Sequence, residues 1–418
     1  MLSPDGADAA IAEAIARAMA APRGPVHIDC PGEVLSRTVE GRRAEGARGF
    51  QPSVRGVTDT DRSAESLALR IPGARQLSAF RMPLFIAGMG ARDAASVVAI
   101  RELCATLRIP AMVTYKAKGV VPDDDPHFAG VFTNGAIERP IVDQADLIVA
   151  VGLDEVELLP RPWPYTPPLV RVSAREVAAL ESKLPHTSWD LASVQRSVAR
   201  QREAVCAPTD GLAPHRVVQI VAEHAATRAR VTVDAGAHMF PATLLWPVSE
   251  PNGMLISNGL STMGFALPAA IGAALLQRDS AYGGPAQAGR HEDGPAPRRH
   301  DSHVVALTGD GGLLMCAGEL STAARERLPI VIVVFNDASL SLIDVKQRQR
   351  RLEESGVSIG SVDWRGVAES FGITACSART EAELADAIDR ALGHRGPALV
   401  DAHIDPSGYG AMLKAVRG

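Results

Sequence analysis

Asp310 and Asp337 each follow a short apolar run, 304–307 and 330–335, and Asp310 lies inside the glycine-rich turn Gly309-Asp310-Gly311-Gly312. Apolar runs of this length bounded by turn residues read as strands and the residues between them as a helix, so 304–339 is one strand-helix-strand unit. In a parallel sheet both strands finish on one edge, which sets the two acidic turns side by side where open α/β sheets bind ligands. Two carboxylates with the N–H groups of a helix start between them suit a hard divalent cation and the phosphates that it bridges. A lone glycine-rich turn would be a weak signal; here strand, helix, second strand and acidic pair occur in order. Two more stretches fit the same kind of ligand. The run 231–233 ends in Asp234-Ala235-Gly236-Ala237-His238, and a glycine just beyond a strand lets backbone approach a ligand closely. In 257–276 a turn of small residues precedes an Ala-, Leu- and Ile-rich helix, a composition for close packing against a planar molecule. Taken alone, Met263 in that stretch would be core packing.

The elements that position these groups fill a chain of 418 residues, room for two or three domains. With 46% hydrophobic and 22% charged residues and a net charge of -5, it has a globular composition that argues against a nucleic-acid surface. Cys30, Cys104, Cys206, Cys316 and Cys376 are scattered without a CxxC, so neither a disulfide framework nor a structural zinc site is indicated; Cys316 reads as core. No run approaches a membrane span and no signal pattern opens the chain, so a soluble cytoplasmic protein is expected.

Residues 1–45 supply a helix over 9–20 and a strand over 24–29, too little to bury their own faces. Residues 46–75 read as a charged linker. From 76 to 187 a central α/β domain is predicted, with strands over 83–87, 111–114, 146–152 and 170–173 and a helix over 91–107 whose Val97, Ile100, Leu103, Cys104 and Leu107 form one apolar stripe. Lys116, Lys118 and Asp123-Asp124-Asp125 read as a solvated loop, and the Pro-rich 158–168 as an irregular connector. A helical linker, 188–212, leads into the last unit, 213–418. Within it, 278–301 reads as a disordered surface insert, and 340–351 as an amphipathic segment whose basic end is a solvated face. Segments 363–371, 381–392 and 398–403 complete the sheet. The fold class is therefore α/β, two doubly wound parallel-sheet domains preceded by a short helix-strand remnant of a third.

The GDG turn closed by Asn336-Asp337 resembles the diphosphate-binding motif of thiamine diphosphate-dependent enzymes. SNGLSTMGFALPAAIGAALL, 257–276, is similar to that family's GxGTMGxxLPAAIGA, 114–132 is similar to its central domain in general, and 20–35 resembles the end of the pyrimidine-binding domain in its acetolactate synthase branch. The resemblance implies thiamine diphosphate and Mg²⁺, the cation held by Asp310, Asp337 and the carbonyl of Ser339. Asp337 stands where Asn is commoner. It also implies a cofactor site made of Gly236, Ala237, His238, Gly259, Ser261, Met263, Gly309, Asp310, Gly311, Gly312, Asp337 and Ser339. Met263 would wedge beneath the cofactor and bend it, Ala237 lacks the side-chain amide of relatives, and Leu342, Ile343 and Gln347 would line the substrate side. Glu319 and Thr322 have structural roles on this view. FAD, which some members hold in the central domain, is the lesser expectation, because Gly88-Met89-Gly90-Ala91 is not a full GxGxxG.

The activity so implied is decarboxylation of a 2-oxo acid followed by carboligation, as in an acetolactate synthase large subunit. The cofactor carries that chemistry and the protein binds, bends and protonates it. The protonating Glu belongs to the family's pyrimidine-binding domain, of which 1–45 resembles only the end, so no catalytic residue is nominated. The chain is then expected to work as a homodimer or tetramer, or with a pyrimidine domain from another chain. A simple 2-oxo acid decarboxylase of the benzoylformate or pyruvate type, and an inactive truncated cofactor-binding protein, are the alternatives.

Overall fold

The computed structural model describes residues 7–19, 68–69, 77–159, 161–225, 229–257, 260–281 and 303–418. The chain divides into two compact units, Met1–Arg62 and Ser63–Gly418. In the first, the described element is the helix Ala7–Met19; the strand expected at 24–29 lies outside the described residues.

The second unit contains two six-stranded sheets, both parallel throughout. The first takes β1 (Ala68–Leu69), β2 (Pro83–Ala87), β3 (Ala111–Val113), β4 (Phe128–Val131), β5 (Leu147–Val151) and β6 (Leu169–Val172) in the order β1-β6-β5-β2-β3-β4. Its edge strand β1 comes from the segment read as a linker, since a two-residue strand has no period to detect. β4 was not foreseen as a strand either, and its pairing with β3 is broken by a register shift between Ala111 and Val113. The helix expected from residue 91 begins at Ala94, because the Asp93 side chain accepts the Ser96 N–H (3.1 Å) and caps it there. Gly88 and Gly90 have a packing reason: a Cβ on Gly88 would lie 2.4 Å from Leu153 Cα, and one on Gly90 3.0 Å from the Gly152 carbonyl.

The second sheet takes β7 (Arg230–Val233), β8 (Met254–Ile256), β9 (Val304–Gly309), β10 (Ile330–Asn336), β11 (Thr374–Ala378) and β12 (Ala398–His403) in the order β11-β12-β10-β9-β7-β8. Alternation along its strands feeds two cores. Val305, Leu307, Val331, Val333 and Phe335 face one, under helices Pro214–His224, Glu381–Gly393 and Tyr409–Arg417. Val304, Ala306, Ile330, Ile332 and Val334 face the other, under helix Ala266–Ala281 and Trp364. From β7 the chain moves first to β8 on one side and then to β9 on the other, so the strand order reverses at β7 and β9. That helix runs through Ala281, so the stretch 278–281, placed in the insert, is helical; Arg278 pairs with Glu326 at 3.2 Å. The rest of that insert, 282–301, lies outside the described residues.

Lys118 and Asp123 correct the expectation of a solvated loop. Both are buried, 1% and 8% exposed, and paired at 2.8 Å. Lys118 Nζ also donates to the Thr243 carbonyl (2.9 Å), and Asp123 Oδ2 accepts the Val248 N–H (3.0 Å). The loop thus pins the first sheet's domain to the second. Removing one partner of a buried pair strands the other charge, so Asp123→Ala should cost about 3–5 kcal/mol, whereas Lys118→Met with Asp123→Leu should cost far less. Urea unfolding of both variants checks this, and a loss below about 1 kcal/mol for Asp123→Ala would contradict it.

Candidate functional site

The strand-order reversal at β7 and β9 creates a crevice outside their carboxyl ends, and Asp234, the first residue past β7, organises it. Its carboxylate, 0% exposed, accepts the N–H of Gly264 (3.0 Å, Oδ2) and Phe265 (3.0 Å, Oδ1), the Thr308 hydroxyl (3.0 Å, Oδ2) and the Ala235 N–H (3.0 Å, Oδ1). One buried anion therefore ties the turn carrying Met263 to β7 and β9 and supplies acceptors just before the helix Ala266–Ala281. A Cβ on Gly312 would lie 2.1 Å from Asp234 Oδ2, and one on Gly311 2.5 Å from Leu340 Cδ2 and 3.2 Å from Met263 Cε. Gly311 and Gly312 of the GDGG turn are required by this close approach.

Asp310 is the first residue of a short helix, Asp310–Cys316, so the expected turn is already helical. A second helix, Glu319–Arg325, follows after a break at Ala317 and Gly318. Asp310 Oδ1 accepts the Gly311 N–H (2.7 Å), and Oδ2 accepts the N–H groups of Ala338 (2.7 Å) and Asp337 (3.2 Å), which joins the β9 and β10 turns. Asp337 Oδ1 accepts the Ser339 N–H (3.1 Å) and Oδ2 the Ser341 hydroxyl (2.5 Å). Burial raises the Asp310 carboxyl against the pull of those three N–H donors. Burial, with the neighbouring Asp310 charge, pushes Asp337 up to about 7 against its Ser341 hydrogen bond. Two such carboxylates with a carbonyl beside them form an all-oxygen donor set that a hard dication would stabilise. Among the described residues no cluster of three or more His, Cys, Asp or Glu side chains forms a metal cage.

His238 is buried, and burial pulls its imidazole down to about 4 despite the Asp234 charge, so the ring is neutral near pH 7. It stacks on Phe335 at 5.0 Å, and its Nε2 is buried without a hydrogen-bond partner. A buried orphan polar atom beside the β9 turn is a place for a polar ligand group.

Gly236, Ala237, His238, Ser261, Met263, Gly309, Asp310, Gly311, Gly312, Asp337 and Ser339 all line one cavity of about 490 Å³. Gly259 lies outside the described residues. Leu342 and Ile343 join that lining, but Gln347 does not: its amide bonds the Ser355 backbone (Nε2 to O, 2.9 Å). Sequence reasoning assigned no site role to Asp234, although an acidic residue directly past a strand and before a glycine was the available signal. It also missed Tyr115, Thr133 and Glu157 from the first sheet's domain, and Lys346, Tyr409 and Arg417, all on the cavity wall. Lys346, read as part of a solvated basic face, is half-buried there. Cys316 is partly buried at the edge of a core.

The family model for the C-terminal TPP-binding domain of thiamine pyrophosphate enzymes matches residues 234–402, and the model for their central domain matches 73–182. With both domains in order on two parallel sheets, the chain belongs to the thiamine pyrophosphate enzymes. Among its relatives are an acetolactate synthase of Bacillus subtilis, 27% identical over 78% of this chain and 59% of that protein, and the acetolactate synthase isozyme 1 large subunit of Escherichia coli, 26% identical over 91% and 67%. A probable 2-ketoarginine decarboxylase of Pseudomonas aeruginosa is 29% identical over 93% of this chain and 69% of that protein. The chain spans about six to seven tenths of the length of these relatives. Among the described residues no helix is long and apolar enough to cross a membrane.

Proposed function

We propose that the chain binds thiamine diphosphate through Mg²⁺ at this crevice and contributes to acetolactate synthase-like decarboxylation and carboligation of 2-oxo acids. The observation that carries the reading is the meeting of Asp310 and Asp337 at the β9 and β10 ends, in one cavity with His238 and Met263. Asp310, Asp337 and the Ser339 carbonyl hold the cation. The glycines of 309–312 and 236 and the orphan Nε2 of His238 face the diphosphate. Met263, braced against Gly311, shapes the wall between the cofactor's two rings. When bound, the cofactor supplies the carbanion chemistry that accepts electrons as CO₂ leaves; the chain orients it and excludes water. The central domain occupies 76–187 and the diphosphate-binding domain 213–418, and the protonating carboxylate belongs to the family's pyrimidine-binding domain.

The decarboxylase among the relatives favours one second reading, decarboxylation without carboligation. Assays of CO₂ release and acetolactate formation from pyruvate separate the two. The purified chain alone should turn over pyruvate no faster than the cofactor in buffer. Turnover clearly above that level would mean that an acid within the chain does the protonation.

A further inference from the structure

The wall formed by helix Ser341–Gln349 and the C-terminal helix Tyr409–Arg417 carries charge that the cofactor reading does not use. Lys346 and Arg417 both line the cavity, half-buried, and both also line a second cavity with Arg350 and Lys414. Among the described residues neither side chain has a hydrogen-bonding or ion-pairing partner. Arg417 lies over the Phe240 ring at 5.3 Å, and its Nε is buried and unpartnered. The nearby Arg161 adds to the positive field and donates to the Arg417 carbonyl (2.9 Å).

The acids of the cavity are committed elsewhere. Glu157 accepts the N–H groups of Met89 (2.9 Å) and Asp154 (3.1 Å) and the Thr114 hydroxyl, and Asp310 and Asp337 form the rim pair. Two unpaired, partly desolvated cations on one wall cost free energy unless an anion binds between them. Leu342, Ile343, Leu158 and Leu159 supply an apolar lining to the same cavity.

We propose that Lys346 and Arg417 bind a second anionic group of the substrate, so that the site takes a 2-oxo acid ending in a carboxylate. This rests on the cofactor reading above and deepens it. The test uses the full chain loaded with Mg²⁺ and thiamine diphosphate and compares binding of 2-oxoglutarate with its isostere 2-oxovalerate by calorimetry. A 2-oxo acid ending in a guanidinium is the third ligand. Charge-assisted hydrogen bonds to the added carboxylate predict at least about tenfold tighter binding of 2-oxoglutarate, with the guanidinium acid weakest. In Lys346→Gln and in Arg417→Gln the ratio of the two affinities should fall toward one. That ratio is taken within each variant, so a general loss of fold does not mimic the effect.

Equal affinity for the two acids, binding of neither by the loaded chain, or variants that weaken both acids alike overturns the proposal; the last would mean that the cations hold the carboxylate next to the keto group. Failure to take up thiamine diphosphate at all would instead overturn the functional reading, and this inference with it.

Discussion

Asp310→Ala should weaken Mg²⁺-dependent binding of thiamine diphosphate by at least about 100-fold. Loss of a hydrogen-bonding partner behind a metal ligand already costs about 10–100-fold in metal affinity, so loss of a ligand should cost no less than the top of that range. Asp310 also accepts the Ala338 and Asp337 N–H groups, so the same change loosens the loop carrying the second carboxylate. Asp310→Asn keeps an oxygen but loses a charge and should fall between wild type and Ala. Calorimetric titration of cofactor with and without Mg²⁺ reads both effects. Equal affinity for wild type and Asp310→Ala would remove Asp310 from the site.

Asp234→Ala should be the most damaging single change to the fold of the site. It leaves the N–H groups of Gly264 and Phe265 without their acceptor and the Thr308 hydroxyl with the Gly309 carbonyl (3.2 Å) in place of a carboxylate. Each unsatisfied buried group costs about 1–3 kcal/mol and the costs do not add fully, so about 3–5 kcal/mol is expected. The urea midpoint should fall with little change in slope, and cofactor binding should fall with it, because the Met263 turn loses its tie to β7. Retention of the wild-type midpoint would show that the hub is dispensable.

The acidic pair was legible because it depends on few things: two apolar runs of strand length, a connection long enough for a crossover, and parallel pairing that sends both ends to one rim. The register bears this out, Phe335 lying opposite Gly309 so that Asn336-Asp337 and Asp310 follow together. Asp234 was passed over because strand-end acids usually face water, and its inward turn is set by N–H groups about 30 residues away on the Gly264 turn. Lys118 and Asp123 were misread for the same reason. A Lys five residues before a run of three Asp residues looks solvated until Thr243 and Val248 close over the pair. Lys346 belongs to a run that alternates basic residues, and helical periodicity turns it to the cavity while Arg348 is exposed and pairs with Asp344 at 2.9 Å. In each case local pattern located the element, while domain packing decided whether the charge met water or protein.

The most direct measurement of the central proposal is a crystal structure with thiamine diphosphate and Mn²⁺ in place of Mg²⁺, located by its anomalous signal. One ion is expected at the β9 and β10 rim, about 2.1 Å from an oxygen of Asp310, of Asp337 and of the Ser339 carbonyl, with the diphosphate beside His238. An ion bound away from these oxygens, or a diphosphate seated elsewhere, would contradict it.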